Sequence, residues 1–406
     1  MEHSNLSFYG LGIAPKILEI IEQLKFQTPT PIQHKAIPLI AEGKDLMGIA
    51  QTGTGKTMAF AIPTIQKMAS TRDKALVLVP TRELALQVAE SFTKIGRPFG
   101  IKTAVLIGGE PVRDQIRVLA GNPRVWVATP GRLLDLMEQR KAPLHDVHTL
   151  ILDEADRMFD MGFAPQIEQI LKSVPKERQT LLFSATMPPE IFLIVKRHMR
   201  MPTSVEIAPP GTKAENVTHE LFIVRQDMKR TLLDKILNQY RGSVLLFCRT
   251  KIGAHRIAGG LKQRNHRAAE IHSDRSLGQR REALEGFKSG KYRILIATDI
   301  ASRGIDVKGI ELVINYDLPD DPENYIHRIG RTGRAGHPGH AISFATADQK
   351  DEVNNIERMI KGTLPISTHP DIPPDAFSAA YHPPAKGGFR PRGGSWSARS
   401  FRGRRR

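Results

Sequence analysis

Two kinds of apolar spacing alternate along this chain. Near the start, Ile17, Leu18, Ile20, Ile21 and Leu24 recur at a helical period, and Ile32, Ala36, Ile37 and Ile40 form a second such set. Leu6–Glu42 is therefore predicted helical, broken at Phe26–Gln33 by Pro29 and Pro31, which force an extended bend before a new helix start. Short unbroken apolar runs follow: Leu46–Ile49, Ala75–Val79, Thr103–Ile107, Val125–Ala128, His148–Leu152 and Leu181–Phe183. Runs of this length read as strands buried on both faces, and amphipathic stretches such as the one carrying Leu84, Val88 and Phe92 read as helices between them. Strands alternating with helices predict a parallel, doubly wound α/β sheet, whose ligands lie beyond the carboxyl ends of the strands.

The second half repeats the design. Ser243–Thr250 echoes Ala75–Thr81, and Arg293–Asp299 echoes Val125–Thr129, so two domains of one fold are expected. Boundaries fall at 1–205 for the first domain, 206–216 for a proline-bearing linker and 217–367 for the second. From 368 to 406 the composition turns to Pro, Gly, Ser and Arg without period, which predicts a disordered tail.

Charge adds a partner to this outline. A net charge of +17 and a pI near 10.0 over 406 residues point to a polyanion, nucleic acid before membrane surface. The single Cys248 precludes an intramolecular disulfide and fits a reducing compartment. No signal peptide and no apolar run of membrane-spanning length is seen, so the expected location is the cytoplasm.

The candidate chemistry sits at strand ends. Ala50-Gln51-Thr52-Gly53-Thr54-Gly55-Lys56-Thr57 lies between a predicted strand and a predicted helix, the setting of a phosphate-binding loop. Its glycines let backbone N–H groups face phosphates, Lys56 would reach the β and γ phosphates, and the Thr57 hydroxyl would hold Mg²⁺. His148–Leu152 runs into Asp153-Glu154-Ala155-Asp156. There Asp153 would hold Mg²⁺, and Glu154 would orient and deprotonate the attacking water. Gln33, just ahead of the loop, has an amide able to pair with adenine N6 and N7. Other strand ends carry small, hydroxyl or arginine residues suited to gripping a nucleic-acid backbone: Pro80-Thr81-Arg82, Gly108-Gly109, Thr129-Pro130-Gly131-Arg132, Arg249-Thr250 and Thr298-Asp299. No second phosphate loop occurs, so the second domain must close onto the first. Arg331 and Arg334, in His327-Arg328-Ile329-Gly330-Arg331-Thr332-Gly333-Arg334, can point the same way, as fingers to a γ-phosphate or as a nucleic-acid patch.

Asp153–Asp156 spells the name of the DEAD-box RNA helicases, and the chain resembles that family in the order and spacing of Phe26–Gln33, Ala50–Thr57, Pro80–Ala85, Thr129–Arg132 and Ser184–Thr186. The resemblance covers Met1 to about Ile366; a short core with a brief basic tail is most similar to the bacterial RhlE-type branch. It implies two RecA-like domains and ATP with Mg²⁺ as cofactors. Phe26 would join Gln33 at the adenine, Gly304 and Asp306 would line the ATP side, and Arg331 and Arg334 would meet ATP. Asp156, Ser184, Thr186, His327 and Arg328 would couple the domains. RNA would be bound by its backbone, single-stranded or as a short duplex, by a monomer working beside the ribosome or the RNA-decay machinery. One departure stands out. Where relatives have His-Gly-Asp and then a glutamine, this chain has His272-Ser273-Asp274-Arg275-Ser276-Leu277, with Arg280 retained. Ser273 keeps a hydrogen-bonding group near RNA, whereas Leu277 cannot make a glutamine's contacts. Two other functions fit the same residues: a DNA translocase with this engine, or an RNA clamp or annealer whose ATPase is incidental.

Overall fold

The computed structural model describes residues 7–51, 53–207, 217–299, 307, 310–333 and 339–372. Thr52, Gly304, Asp306, Arg334, most of the linker and the tail beyond Ile372 lie outside the described residues.

The first sheet has seven parallel strands: β1 (Leu46–Ile49), β2 (Lys74–Leu78), β3 (Thr103–Leu106), β4 (Val125–Ala128), β5 (Val147–Leu152), β6 (Gln179–Ser184) and β7 (Thr203–Glu206). Their order is β3-β4-β2-β5-β6-β1-β7. Helices cover both faces, so successive residues of one strand enter different cores. Ala75 and Val77 pack with Phe60, Val88 and Phe92, while Leu76 and Leu78 pack with Leu133, Met158 and Ile170. Burial on both sides is why these strands read as unbroken apolar runs.

The second sheet has six parallel strands: β8 (Val217–Ile223), β9 (Val244–Phe247), β10 (Ala268–Ile271), β11 (Ile294–Ala297), β12 (Leu312–Asn315) and β13 (Gly339–Ala345). The order β10-β11-β9-β12-β13-β8 repeats β3-β4-β2-β5-β6-β1 strand for strand. Both sequence echoes fall on equivalent strands, β9 with β2 and β11 with β4. Among the described residues no helix is long and apolar enough to cross a membrane. Cys248 is buried in the second core, where burial pushes its thiol up to about 12, so it supplies no nucleophile.

Three expectations need correction. Residues 7–14 are not helical: Gly10 and Gly12 take φ of 88° and 74°, and Phe8, Leu11 and Ile13 are buried from an irregular segment. The first domain runs one residue further than 205, because Thr203–Glu206 adds to its sheet beside β1. Residues 368–372, assigned to the tail by composition, pack on the second domain. Ile372 is buried in its core, and the amide of Ser367 donates to the Leu221 carbonyl.

Candidate active site and nucleic-acid interface

Strand order sorts the candidate residues into two groups. β5, β6 and β1 are neighbours, so Asp153–Asp156, Ser184–Thr186 and the phosphate loop emerge side by side. β3, β4 and β2 are neighbours on the other half, which gathers Gly108-Gly109, Thr129–Arg132 and Pro80–Arg82. In the second sheet β10, β11 and β9 bring Ser273, Thr298-Asp299 and Arg249-Thr250 together in the same way. One half of each strand-end edge suits nucleotide and the other an extended strand.

At the phosphate loop, Gly53 and Gly55 take φ of 83° and 89°, the left-handed region that favours glycine. A Cβ on Gly55 would also collide with Gln33 Nε2. That closeness is functional: Gln33 Nε2 donates to the Gly55 carbonyl at 3.0 Å, and its Oε1 accepts from Thr30 N at 3.0 Å. These two bonds cap the helix Pro31–Ala41 and tie it to the loop. The amide keeps one N–H and one lone pair for a base, and Phe26 is exposed nearby in sequence. Lys56 is buried, and its Nζ donates to the Ala50 carbonyl at 2.8 Å. Gln51 is exposed, and Thr54 Oγ1 donates to its carbonyl at 2.7 Å. Thr57 sits half-buried in the first turn of the helix Lys56–Ser70.

Asp156 fastens the acidic strand end to the next strand. Its Oδ2 accepts from Ala185 N and Thr186 N, both at 2.9 Å, and from Thr186 Oγ1 at 3.1 Å, while its own amide donates to Ser184 Oγ at 3.1 Å. Burial alone would raise its pKa, but Lys56 and the amides of Thr186 and Arg157 outweigh that and hold it low. Asp153 behaves oppositely. Burial pushes its carboxyl up to about 6, with Glu154 and Asp156 adding to the rise and Lys56 opposing it. A buried carboxylate that is reluctant to ionise without a further cation, on the strand end near the phosphate loop, is an oxygen donor that suits Mg²⁺.

The raised pKa carries a prediction for the nucleotide-free, metal-free protein. Between pH 4 and 6 the folded state holds a proton that the unfolded state has released, so stability falls across that window and the penalty is complete above it. Asp153→Asn should therefore unfold later than the parent at pH 8, by about 2–3 kcal/mol, and show little difference at pH 4. Denaturant unfolding followed through the buried Trp126 reads this. A gap that is the same at both pH values would refute it.

Glu154 is held in the left-handed region at φ 52° and ψ 51°, a conformation that costs a non-glycine residue roughly 1 kcal/mol. Its Oε2 accepts from Arg157 Nη1 at 3.1 Å, and Arg157 Nη2 donates to His327 Nδ1 at 3.2 Å. A guanidinium can only donate, so Nδ1 accepts and the ring proton resides on Nε2. Arg157 thus links the candidate base to the second domain. Arg331 lines the same cleft with Arg157, Phe247, Asp299, Asn324 and His327. A second bridge joins Glu83 to Arg280 at 2.8 Å, both buried. Burial raises the Glu83 pKa, with Arg280 and Arg82 pulling it down.

Two expected roles change. Arg328 makes its hydrogen bonds within the second domain, to Asp299 at 2.6 and 2.7 Å, to Asn315 Oδ1 at 3.2 Å and to the Asp317 carbonyl at 2.7 Å. It braces that domain's edge and lines the cleft that Arg157 enters, while the hydrogen bond across is made by His327. Because the Asp299 carboxylate is held by Arg328, it is not free to serve a nucleic-acid strand as expected; its backbone remains at the strand end.

The other candidate residues lie at or just beyond the strand ends. Thr81 and Thr250 cap equivalent helices, accepting from Leu84 N at 3.2 Å and Gly253 N at 3.0 Å. Pro80, Thr129 and Pro130 are buried, and nothing lies within 4 Å of a Cβ placed on Gly131. The Arg82 guanidinium lies over Gly108 and Gly109, so closely that a Cβ at 109 would collide with it. Arg132 Nη1 donates to the Glu110 carbonyl at 3.1 Å, Arg249 pairs with Asp320 at 3.1 Å, Ser273 is exposed and Thr298 is half-buried. Sequence reasoning does not reach Arg157 and Glu83. Arg157 follows Glu154 by three residues on a short helix, the one sequence cue to their pairing.

Comparison with known proteins finds matches across both domains. The DEAD/DEAH box helicase family model matches residues 30–193, and the helicase conserved C-terminal domain model matches 228–336. The DEAD-box ATP-dependent RNA helicase CshA of Geobacillus kaustophilus is 43% identical over 358 residues, which cover 87% of this chain and 77% of that protein. The ATP-dependent rRNA helicase RRP3 of Debaryomyces hansenii is 42% identical over 368 residues, covering 90% and 77%. Among solved structures, a S. cerevisiae Dbp5 variant bound to RNA and ADP BeF3 is 31% identical with a TM-score of 0.79, covering 89% of this chain and 95% of that one. The same Dbp5 variant bound to a Gle1 variant and IP6 has a TM-score of 0.70, covering 90% and 96%.

Proposed function

This chain belongs to the DEAD-box family of ATP-dependent RNA helicases, and from that premise we propose that its two domains close together on ATP and on an RNA backbone, and that closure both assembles the hydrolysis site and separates short duplexes locally. The observation that carries this reading is the cleft in which Arg157 touches Glu154 on one side and His327 on the other, beside Arg331. The contacts that join the two domains, Arg157 with His327 and Glu83 with Arg280, support reading the arrangement as the closed one.

The residues divide the work. Phe26 and Gln33 receive the adenine, and Lys56 and the loop amides receive the phosphates. Thr57 and Asp153 would hold a Mg²⁺, which when bound neutralises charge on the phosphate oxygens. Glu154, fixed by Arg157, takes the proton of the attacking water. Arg331 offers its guanidinium to the charge that develops on the γ-phosphate. Strand-end amides and arginines hold the RNA backbone, a contact that positions without reading sequence. By linkage, RNA strengthens ATP binding by the same factor as ATP strengthens RNA binding.

The deciding experiment is ATP hydrolysis with RNA or DNA of one sequence, together with strand separation of a short RNA duplex. Equal stimulation by DNA would favour the translocase, and RNA-stimulated hydrolysis without strand separation would favour the clamp or annealer. The tail adds a separate expectation. Lys386, Arg390, Arg392, Arg399, Arg402, Arg404, Arg405 and Arg406 supply eight positive charges, interleaved with Phe389, Trp396 and Phe401, on which bases can stack. Truncation after Ala385 should make the slope of log affinity against log salt shallower, by about 5 to 6 if all eight charges engage a single strand. The maximal ATPase at saturating RNA should persist. An unchanged slope would rule out the tether.

A further inference from the structure

Leu277 stands where the resemblance expects a glutamine, and its surroundings belong to the other domain. It is the first residue of the helix Leu277–Lys288 in the second domain. Yet it is 5% exposed, among the side chains of the first domain's core, in the cluster that includes Leu84, Ala85 and Ile107. The start of its helix is fixed: Ser276 Oγ accepts from Gln279 N at 3.3 Å, and Gln279 Oε1 accepts from Ser276 N at 3.1 Å. Arg280, three residues on and so on the same face, makes the 2.8 Å bridge to Glu83. Glu83 and Leu84 directly follow the Thr81-Arg82 strand end.

We propose that Leu277 is a positioning residue for the ATPase: its burial against the first domain helps hold the domains closed, without calling on RNA. This rests on the closed-arrangement reading given above. Separating the domains returns this side chain and the apolar surface it covers to water. Burying a leucine favours closure by about ten- to a hundredfold, and the effect is non-directional. A glutamine in the same buried place would need partners for its amide, so it would hold the domains only where such partners, RNA among them, are supplied. The leucine has no such need. This chain should therefore close more readily at low RNA than it would with glutamine there. Arg280 and Glu83 set the register of the contact, and Leu277 supplies attraction that salt does not screen.

The test uses the full chain with a donor and an acceptor dye, one on an exposed position of each domain, and the variants Leu277→Ala, Leu277→Gln and Leu277→Met. Closure is read with RNA and ADP BeF3, and ATPase is read across RNA concentrations. For Leu277→Ala and Leu277→Gln the RNA-free ATPase should fall about tenfold and half-saturating RNA should rise about tenfold, with kcat at saturating RNA kept within about twofold. Leu277→Met should stay near the parent, because its volume and apolarity are kept. Thermal unfolding should be unchanged, since the contact lies between domains. A lowered Tm without a shift in half-saturating RNA would make Leu277 an ordinary core residue and overturn the proposal. So would an alanine variant that closes like the parent at RNA concentrations well below saturation. A parent chain that does not close would instead overturn the reading on which the proposal rests.

Discussion

Glu154→Gln should bind ATP and RNA within a few-fold of the parent and hydrolyse ATP about 10²–10⁴ times more slowly. The substitution preserves shape in a place where shape is constrained. Glu154 occupies the left-handed region, is buried, and accepts a hydrogen bond from Arg157 that a glutamine oxygen can also accept. The phosphate loop, Lys56 and Asp153 are untouched, so ground-state contacts to ATP survive. Only the ability to take a proton is lost. A chain that closes on ATP and RNA but cannot hydrolyse also cannot reopen by that route, so the variant should dissociate from RNA more slowly with ATP than the parent does. Lys56→Ala supplies the contrast. It removes a buried ammonium aimed into the loop, and ATP affinity itself should fall. Equal ATP affinities for the two variants, measured by fluorescent-nucleotide titration, would show that this division of roles is wrong.

Much of this division can be read in the sequence, because each part is local. A strand buried on both faces must be an apolar run, a phosphate loop must have glycine at left-handed positions such as Gly53 and Gly55, and an Asp-Glu pair at a strand end stands out against it. What is not legible depends on long-range pairing. Nothing in a short stretch of sequence says that β1 sits beside β6 and not beside β2, yet that order separates the proposed nucleotide half of the edge from the proposed RNA half. Arg157 and His327 are 170 positions apart, and only their contact reveals a guanidinium shared between the candidate base and the second domain. Asp299 reads as an RNA contact from its place at a strand end; the Arg328 that holds its carboxylate comes from a different helix. In sequence Leu277 is only a position at which glutamine chemistry is absent, because the core that receives its side chain lies in the other domain. The 368–372 segment has tail-like composition and one large apolar residue, Ile372, which the second core buries.

Arg331→Ala should lower the RNA-saturated ATPase by about 10³–10⁵, the range found for arginine fingers, while leaving nucleotide-free RNA affinity nearly unchanged. The expectation rests on how firmly the residue is placed. Arg331 is buried, and its amide donates to the Arg328 carbonyl at 3.1 Å just past the helix Pro322–Ile329. The next residue, Thr332, donates from Oγ1 to the Ile310 carbonyl at 2.5 Å, pinning the turn to the base of β12. A Cβ on Gly339 would lie 2.5 Å from that hydroxyl, so the packing behind the turn is tight. A guanidinium carried on a backbone fixed in this way needs less reorganisation to meet charge as it develops, which favours the transition state over the bound substrate. Nucleotide affinity should therefore change much less than kcat. Arg331→Lys should recover only a small part of the loss, since an ammonium keeps the charge but not the forked geometry. The competing role, a patch that grips RNA phosphates, makes the opposite forecast: weaker RNA binding without nucleotide, a shallower salt dependence, and near-normal kcat once RNA saturates. Single-turnover hydrolysis at saturating RNA, set beside RNA binding in the absence of nucleotide, separates the two. If the main defect lies in RNA binding, Arg331 belongs to the track and the γ-phosphate must find its positive charge elsewhere in the second domain.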